Sequence, residues 1–153
     1  SDTDTTGLTT GSVLVYNGTN WVRSPQTFDQ TAYPAMTMLE VTADSNNGYK
    51  FSQYGNTEDP TIYALAGATI AFKINSGANH PFQIETSGGS AYDNGLVHVA
   101  LDGTQTTGSS AQGKTSGTLY WQVTANISGN YAYVCTVHSS MAGTIVVKQL
   151  SAI

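Results

Sequence analysis

The stretch that decides the fold is Tyr131-Ala132-Tyr133-Val134-Cys135-Thr136-Val137-His138-Ser139-Ser140-Met141-Ala142-Gly143. Its cysteine is the only one in the 153 residues, and a histidine and a methionine follow it at successive intervals of three. An alternating run leads into the cysteine, and the β-branched run Thr144-Ile145-Val146-Val147 follows the glycine. The pattern therefore predicts two strands joined by a tight turn that gathers a thiol, an imidazole and a thioether.

These side chains are typical metal ligands. One cysteine and two histidines, with a weak axial methionine, form the ligand set of a blue-copper site. The turn supplies Cys135, His138 and Met141, so the second histidine must come from another part of the chain. His80 fits, because it stands at the entry to an alternating strand far from the turn in sequence. We therefore predict copper, Cu(I) or Cu(II), as the cofactor, with His80, Cys135 and His138 as equatorial ligands and Met141 as the axial ligand.

Other interpretations of these residues compete with copper. Zinc also binds one cysteine and two histidines, but a thioether does not suit a structural zinc site, and the general affinity order places Cu²⁺ above Zn²⁺. Taken singly, Cys135 would be a small buried hydrophobe and Met141 a core filler. His98 stands inside the alternating run 96–100, and we interpret it as a structural histidine and not as a ligand.

The composition favours a turn-rich β fold and excludes some partners. Glycine is frequent, tyrosine outnumbers phenylalanine nine to four, and charged residues make up 10% of the chain, with a formal net charge of −5. The five basic residues are scattered, so we expect no nucleic-acid partner. No apolar stretch is long enough to predict a membrane span. No signal peptide precedes Ser1, and we expect a virion, extracellular or periplasmic location for a processed chain or a fragment.

From Tyr33 onwards, short strands alternate with turn residues, and no segment carries a helical period. The predicted strands cover residues 36–41, 49–53, 61–65, 68–74, 80–85, 96–101, 119–124, 131–134 and 144–148. A long polar loop is predicted over 102–117. This pattern predicts an all-β fold, a Greek-key β-sandwich over residues 33–153.

Residues 1–32 form a separate segment in this prediction. Residues 11–22 alternate around Asn17-Gly18, which is a strong signal for a β-hairpin turn. The segment resembles the short G-x-V-L-x-Y-x-x-x-x-W-V modules of bacteriophage tail-fibre and appendage proteins, many of which are trimeric. The resemblance implies a homo-oligomer, a trimer, formed through this segment. An ordinary hairpin that covers a sheet edge is the alternative.

A second resemblance covers roughly residues 55–148. The motifs that carry it, in order, are Asp59-Pro60-Thr61-Ile62-Tyr63, Gly67-Ala68-Thr69, His80-Pro81-Phe82-Gln83-Ile84 and the turn from Tyr133 to Gly143. The turn resembles the C-x-x-H-x-x-M loop of the amicyanin and pseudoazurin branch of the cupredoxin family. The order of these motifs along the chain is similar to their order in cupredoxin-like domains of marine bacteria and of phage structural proteins. Pro81 stands where many plastocyanin-type proteins have asparagine, so the bond made by that asparagine is not implied here.

The resemblance implies a cupredoxin-like fold and a mononuclear type-1 (blue) copper site in a phage virion structural protein. One-electron transfer with an unidentified redox partner is part of this expectation. The alternative is a metal-independent structural or adhesive β-sandwich of a tail fibre or capsid appendage. A copper enzyme would need further histidine clusters, and only His98 remains after the ligands are assigned. We therefore expect that the chain is not an enzyme.

Overall fold

The computed structural model describes residues 14–16, 19, 21–23, 35–55 and 57–150. The chain divides into two units, Ser1–Ala32 and Tyr33–Ile153. Within the residues described, no helix is both long and apolar enough to cross a membrane.

The first unit contains an antiparallel strand pair. Strand β1 (Leu14–Tyr16) pairs with β2 (Trp21–Arg23), and Val15 lies opposite Val22. The strand pairing of the predicted hairpin is therefore confirmed. The predicted turn residues Asn17 and Gly18 lie outside the described residues.

The described part of the second unit consists of ten strands and two short 3₁₀ turns, Ser52–Tyr54 and Gly108–Ala111. The strands are β3 (Thr37–Asp44), β4 (Gly48–Phe51), β5 (Ile62–Leu65), β6 (Thr69–Asn75), β7 (Phe82–Thr86), β8 (Leu96–Val99), β9 (Gln105–Thr107), β10 (Ser116–Gln122), β11 (Gly129–Cys135) and β12 (Ala142–Lys148).

These strands form two mixed sheets. One sheet has the order β4-β3-β6-β10-β8-β9, and the other has the order β5-β12-β11-β7. Most pairs are antiparallel, but β3 pairs with β6 and β5 pairs with β12 in parallel. Because the chain passes repeatedly from one sheet to the other, neighbouring strands are often distant in sequence. The predicted all-β sandwich is confirmed.

One apolar core joins the two sheets. Large side chains of both sheets point inward, and Phe72, Trp121, Tyr133 and Ile145 are all fully buried. Rings meet across the interface: Phe51 of β4 lies 5.0 Å from Tyr133 of β11, centroid to centroid. Apolar burial of this kind is the main favourable contribution to folding.

The predicted polar loop over 102–117 is only partly correct. It contains β9, which pairs with the edge of β8, and β10 begins at Ser116. A polar edge strand has one exposed face and one unpaired edge, so its sequence lacks the apolar alternation that identifies inner strands. The strand predicted over 80–85 begins at Phe82 instead. Pro81 has no amide hydrogen, and the amide of His80 is used in the preceding turn.

Candidate metal centre

The position of Cys135 follows from strand register. Cys135 is the last residue of β11 and lies opposite Phe82, the first residue of β7. The turn that precedes β7 therefore lies beside the turn that follows β11. His80 belongs to the first of these turns and His138 to the second, so the two histidines reach one end of the sheet from different segments.

The turn that carries His80 is held by its own backbone and by its neighbours. The amide of His80 donates to the carbonyl of Gly77 over 3.1 Å, and Gly77 has a φ of +81°, a conformation that favours glycine. The carbonyl of His80 accepts two further bonds, from Ser76 Oγ over 2.7 Å and from the Tyr49 hydroxyl over 3.0 Å. The backbone of His80 is thus held in place by three hydrogen bonds.

The segment from Cys135 to Met141 closes on itself. The amide of Cys135 donates to the carbonyl of Met141 over 2.9 Å, and the amide of Met141 donates to the carbonyl of His138 over 3.1 Å. The amide of Thr136 donates to the carbonyl of Pro81 over 3.2 Å, which ties this loop to the His80 turn. Met141 is fully buried.

Three ligand-type atoms converge where the turns meet. One side-chain donor atom from each of His80, Cys135 and His138 lies within 4.8 Å of the other two. Cys135 Sγ is 3.6 Å from His138 Nδ1, and the two imidazole rings are 4.9 Å apart, centroid to centroid. Cys135 is 5% exposed, whereas both histidines are half-buried. The predicted residues His80, Cys135 and His138 are therefore brought together, and Met141 ends the same loop.

Whether these residues suit a metal ion can be judged from the hydrogen bonds that their ligand atoms make or lack. Nδ1 of His80 is buried and has no hydrogen-bond partner in the part of the chain that the structure describes. A buried nitrogen without a partner costs free energy, and coordination to an ion would remove that cost. A thiol, two imidazoles and a thioether are the donor set that copper prefers. These residues fit a copper ion.

Asp59 joins the segments behind the centre, and sequence reasoning gave it no role. Its carboxylate accepts the amide of Tyr49 over 2.9 Å. Its own amide donates back to the carbonyl of Tyr49 over 2.8 Å. Burial raises the pKa of Asp59, and the hydrogen bond from the Tyr49 amide opposes that rise. The Asp59-Pro60 pair was the available signal, since it belongs to a motif shared with the cupredoxin-like sequences.

Tyr133 contacts two further residues of the cupredoxin-like motifs, Pro60 and Gly143. Its ring stacks on Phe82 at 5.8 Å, and its hydroxyl donates to the carbonyl of Pro60 over 2.6 Å. A Cβ at Gly143 would collide with the Tyr133 hydroxyl, so this position needs glycine. Pro60 and Gly143 therefore belong to the packing behind the centre.

His98 lies elsewhere, as predicted. It is 4% exposed within β8, and its Nε2 is 2.7 Å from the carbonyl oxygen of Ser116. Burial lowers the pKa of His98. Gly117 makes room for this ring: its φ is +85°, and a Cβ there would lie 2.6 Å from His98 Nε2. His98 is a structural histidine.

Comparisons with known proteins come from solved structures, since no protein-family model and no curated protein matches the chain. Reduced rusticyanin is 23% identical, with 76% of this chain and 82% of that chain covered and a TM-score of 0.43. Rusticyanin from Thiobacillus ferrooxidans is 21% identical, with 76% and 80% covered and a TM-score of 0.42. A purple cupredoxin from Nitrosopumilus maritimus is 13% identical, with 73% and 99% covered and a TM-score of 0.45.

The strand order, the two mixed sheets and the joining of the His80 turn to the Cys135 loop define a cupredoxin-like fold in the second unit. The predicted cupredoxin resemblance is confirmed at the level of the fold. The resemblance to phage proteins stays a prediction.

Asp59 provides the first test of this arrangement. We expect Asp59→Ala to lower the free energy of unfolding by about 2 kcal/mol, because the amide of the buried residue Tyr49 loses a charged acceptor. Thermal and urea unfolding measure the change. Asp44→Ala is the matched control, since Asp44 pairs with Lys50 at the surface, where ion pairs contribute little. Equal stability of the two variants would contradict the role given to Asp59.

Proposed function

We propose that residues 33–153 form a mononuclear blue-copper domain of the cupredoxin type. The observation that carries the proposal is the approach of His80, Cys135 and His138 to within 4.8 Å at one end of the sandwich. The partnerless Nδ1 of His80 supports it, because a bound ion would satisfy this atom. His80, Cys135 and His138 would hold the ion in this proposal, with Met141 as the weaker fourth ligand.

The chain around the centre suits rapid gain and loss of one electron. Copper held by these four residues would supply a Cu(I)/Cu(II) couple. The backbone bonds within the loop and the two bonds to the His80 carbonyl restrict ligand movement, so a change of charge would cause little rearrangement. Val137, next to His138, is 62% exposed and gives the rim of the centre an uncharged, apolar contact point. We propose electron transfer with a separate redox partner at this rim.

Binding is a better interpretation than catalysis. In the described part of the chain, one group of three or more cysteine, histidine or acidic residues is placed to hold a metal. His98, the remaining histidine, is engaged with Ser116. A cysteine nucleophile needs an accessible sulfur, whereas Cys135 is 5% exposed and faces two imidazoles.

The strand pair of the first unit is the basis for our proposal about the kind of protein that carries the copper domain. Strand β1 pairs with β2 in an antiparallel hairpin. A hairpin is what the resemblance of this segment to phage appendage modules implies. We propose that the copper domain is carried by a virion structural protein. A metal-independent structural sandwich is the alternative, and in that case Cys135 and Met141 would serve as buried core residues and no ion would be needed.

Oligomeric state tests the phage part of the proposal. We expect the whole chain to sediment as a trimer, because a two-stranded hairpin is too small to be stable without further packing. Sedimentation equilibrium at several protein concentrations gives the mass. A mass of one chain at every concentration would contradict this context and leave the copper proposal unaffected.

Copper titration tests the main proposal. We expect the metal-free protein to bind one equivalent of Cu(II) with an intense thiolate-to-copper absorption band and a narrow hyperfine splitting in electron paramagnetic resonance. Cys135→Ala should abolish the band, because the thiolate is its source. His98→Gln is the matched control: it removes a histidine that lies outside the group and keeps a donor for Ser116, so the band should remain.

Two results would contradict the proposal. A colourless protein after addition of Cu(II) would remove the blue-copper site and favour the metal-independent sandwich. A copper signal that is unchanged in Cys135→Ala would place the ion at other residues.

A further inference from the structure

Residues 136–140 form the exposed part of the metal centre, and we call them the outer loop. They join two buried residues of the donor set, Cys135, which is 5% exposed, and Met141, which is fully buried. Four of the five outer-loop residues are exposed, and the fifth, His138, is half-buried. An ion from solvent can reach Cys135 and Met141 only if part of the surrounding chain moves aside.

The two segments that carry the histidines are attached to the rest of the domain in different ways. The backbone of His80 makes three hydrogen bonds, and two of them come from the buried residues Tyr49 and Ser76. One backbone bond ties the outer loop to Pro81. Among the described residues, the outer loop makes one side-chain hydrogen bond to a segment beyond the centre, and Ser140 provides it. Exposed segments with few attachments open at the lowest cost in free energy, so the outer loop is the part that opens first.

The Ser140 bond ends on a turn of the opposite sheet. Ser140 Oγ donates to the carbonyl of Asn46 over 2.9 Å, and Asn46 lies between β3 and β4. The amide of Asn47 closes this turn through a backbone hydrogen bond. A Cβ at Gly48 would lie 2.8 Å from Asp59 Oδ2, so the end of the turn packs closely on Asp59. The bond therefore fastens the outer loop to a well-held point on the other sheet.

We propose that Ser140 is a positioning residue whose bond to Asn46 holds the outer loop closed and limits the passage of copper into and out of the centre. Without this bond the outer loop can move away from the His80 turn while β11 and β12 stay paired. The passage of copper rests on the proposed function. The closure of the loop over Cys135 does not, and it can be measured without any metal.

Thiol reactivity of Cys135 tests the closure in the metal-free protein. An aromatic disulfide such as dithionitrobenzoate reacts with an accessible thiolate, and Cys135 is the only cysteine in the chain, so the reaction rate reports opening at this residue. We expect Ser140→Ala to raise the rate about threefold, a small effect for one hydrogen bond because this bond is exposed. Ser140→Thr keeps a hydroxyl and should react at the wild-type rate.

Ser139→Ala is the matched control. Ser139 is also exposed, and its hydroxyl has no hydrogen-bond partner among the described residues, so we expect the wild-type rate. Equal rates in Ser140→Ala and Ser139→Ala would overturn the inference.

Ser76→Ala separates opening of the outer loop from a general loss of stability. It removes a hydrogen bond to the His80 carbonyl and leaves the outer loop fastened. We expect urea unfolding to show a lower stability than in the wild-type protein, with the thiol reacting at the wild-type rate. A reaction as fast as that of Ser140→Ala, or faster, would show that the His80 turn opens instead and would overturn the inference.

Copper release gives the second readout. From protein loaded with one equivalent of Cu(II), we expect EDTA to remove the ion about threefold faster in Ser140→Ala than in the wild type. The energy of the thiolate-to-copper band should stay the same, because no ligand is altered. An unchanged release rate would overturn the inference. Failure of the proposed function differs in its signature: the wild-type protein itself would then show no thiolate-to-copper band, and the control of copper passage would fall with it.

Discussion

The register between β7 and β11 determines the rest of the centre. Cys135 pairs with Phe82, so the last residue of one strand lies beside the first residue of the other. The turns outside both ends must then meet, and the Thr136 amide joins them through the carbonyl of Pro81. A slip of one residue would send Cys135 to the opposite face of its sheet and separate it from His80. The apolar core enforces this register because it buries Phe82 and Tyr133 completely.

Polar contacts then place the side chains with greater precision than the core alone. Asp59 holds the amide of Tyr49, and the Tyr49 hydroxyl in turn holds the carbonyl of His80. The result is a set of donor atoms that is assembled in advance, with His80 Nδ1 buried and partnerless among the described residues. Such an atom costs about 1–3 kcal/mol. An ion that binds only the folded chain recovers this cost and adds about 1.4 kcal/mol for each tenfold excess over its dissociation constant.

Much of this architecture follows from local patterns in the sequence. The Cys135–Met141 spacing predicts a turn between two strands, and the alternation of Tyr131, Tyr133 and Cys135 predicts which face is buried. His80 could be chosen because the donor set lacked a second imidazole. His98 could be set aside because it lies in a strand with apolar neighbours. Each of these inferences used only the chemistry of the side chains and the alternation of inward and outward residues along a strand.

The remainder depends on contacts between distant segments. Nothing near Asp59 in sequence indicates that its carboxylate binds an amide of β4, and nothing near Tyr49 indicates that its hydroxyl reaches the His80 turn. The edge strand β9 was missed because a polar edge lacks apolar alternation. The start of β7 was misplaced because the bonding of the His80 amide depends on Gly77, three residues earlier. Tertiary pairing, and not propensity, decides these features.

The most direct measurement is copper K-edge X-ray absorption on the protein loaded with one equivalent of copper. The fine structure should contain one short sulfur shell and the multiple-scattering pattern of two imidazoles, as expected for Cys135, His80 and His138. A spectrum with oxygen and nitrogen neighbours alone, without sulfur, would show that the assembled donor atoms are not where copper binds.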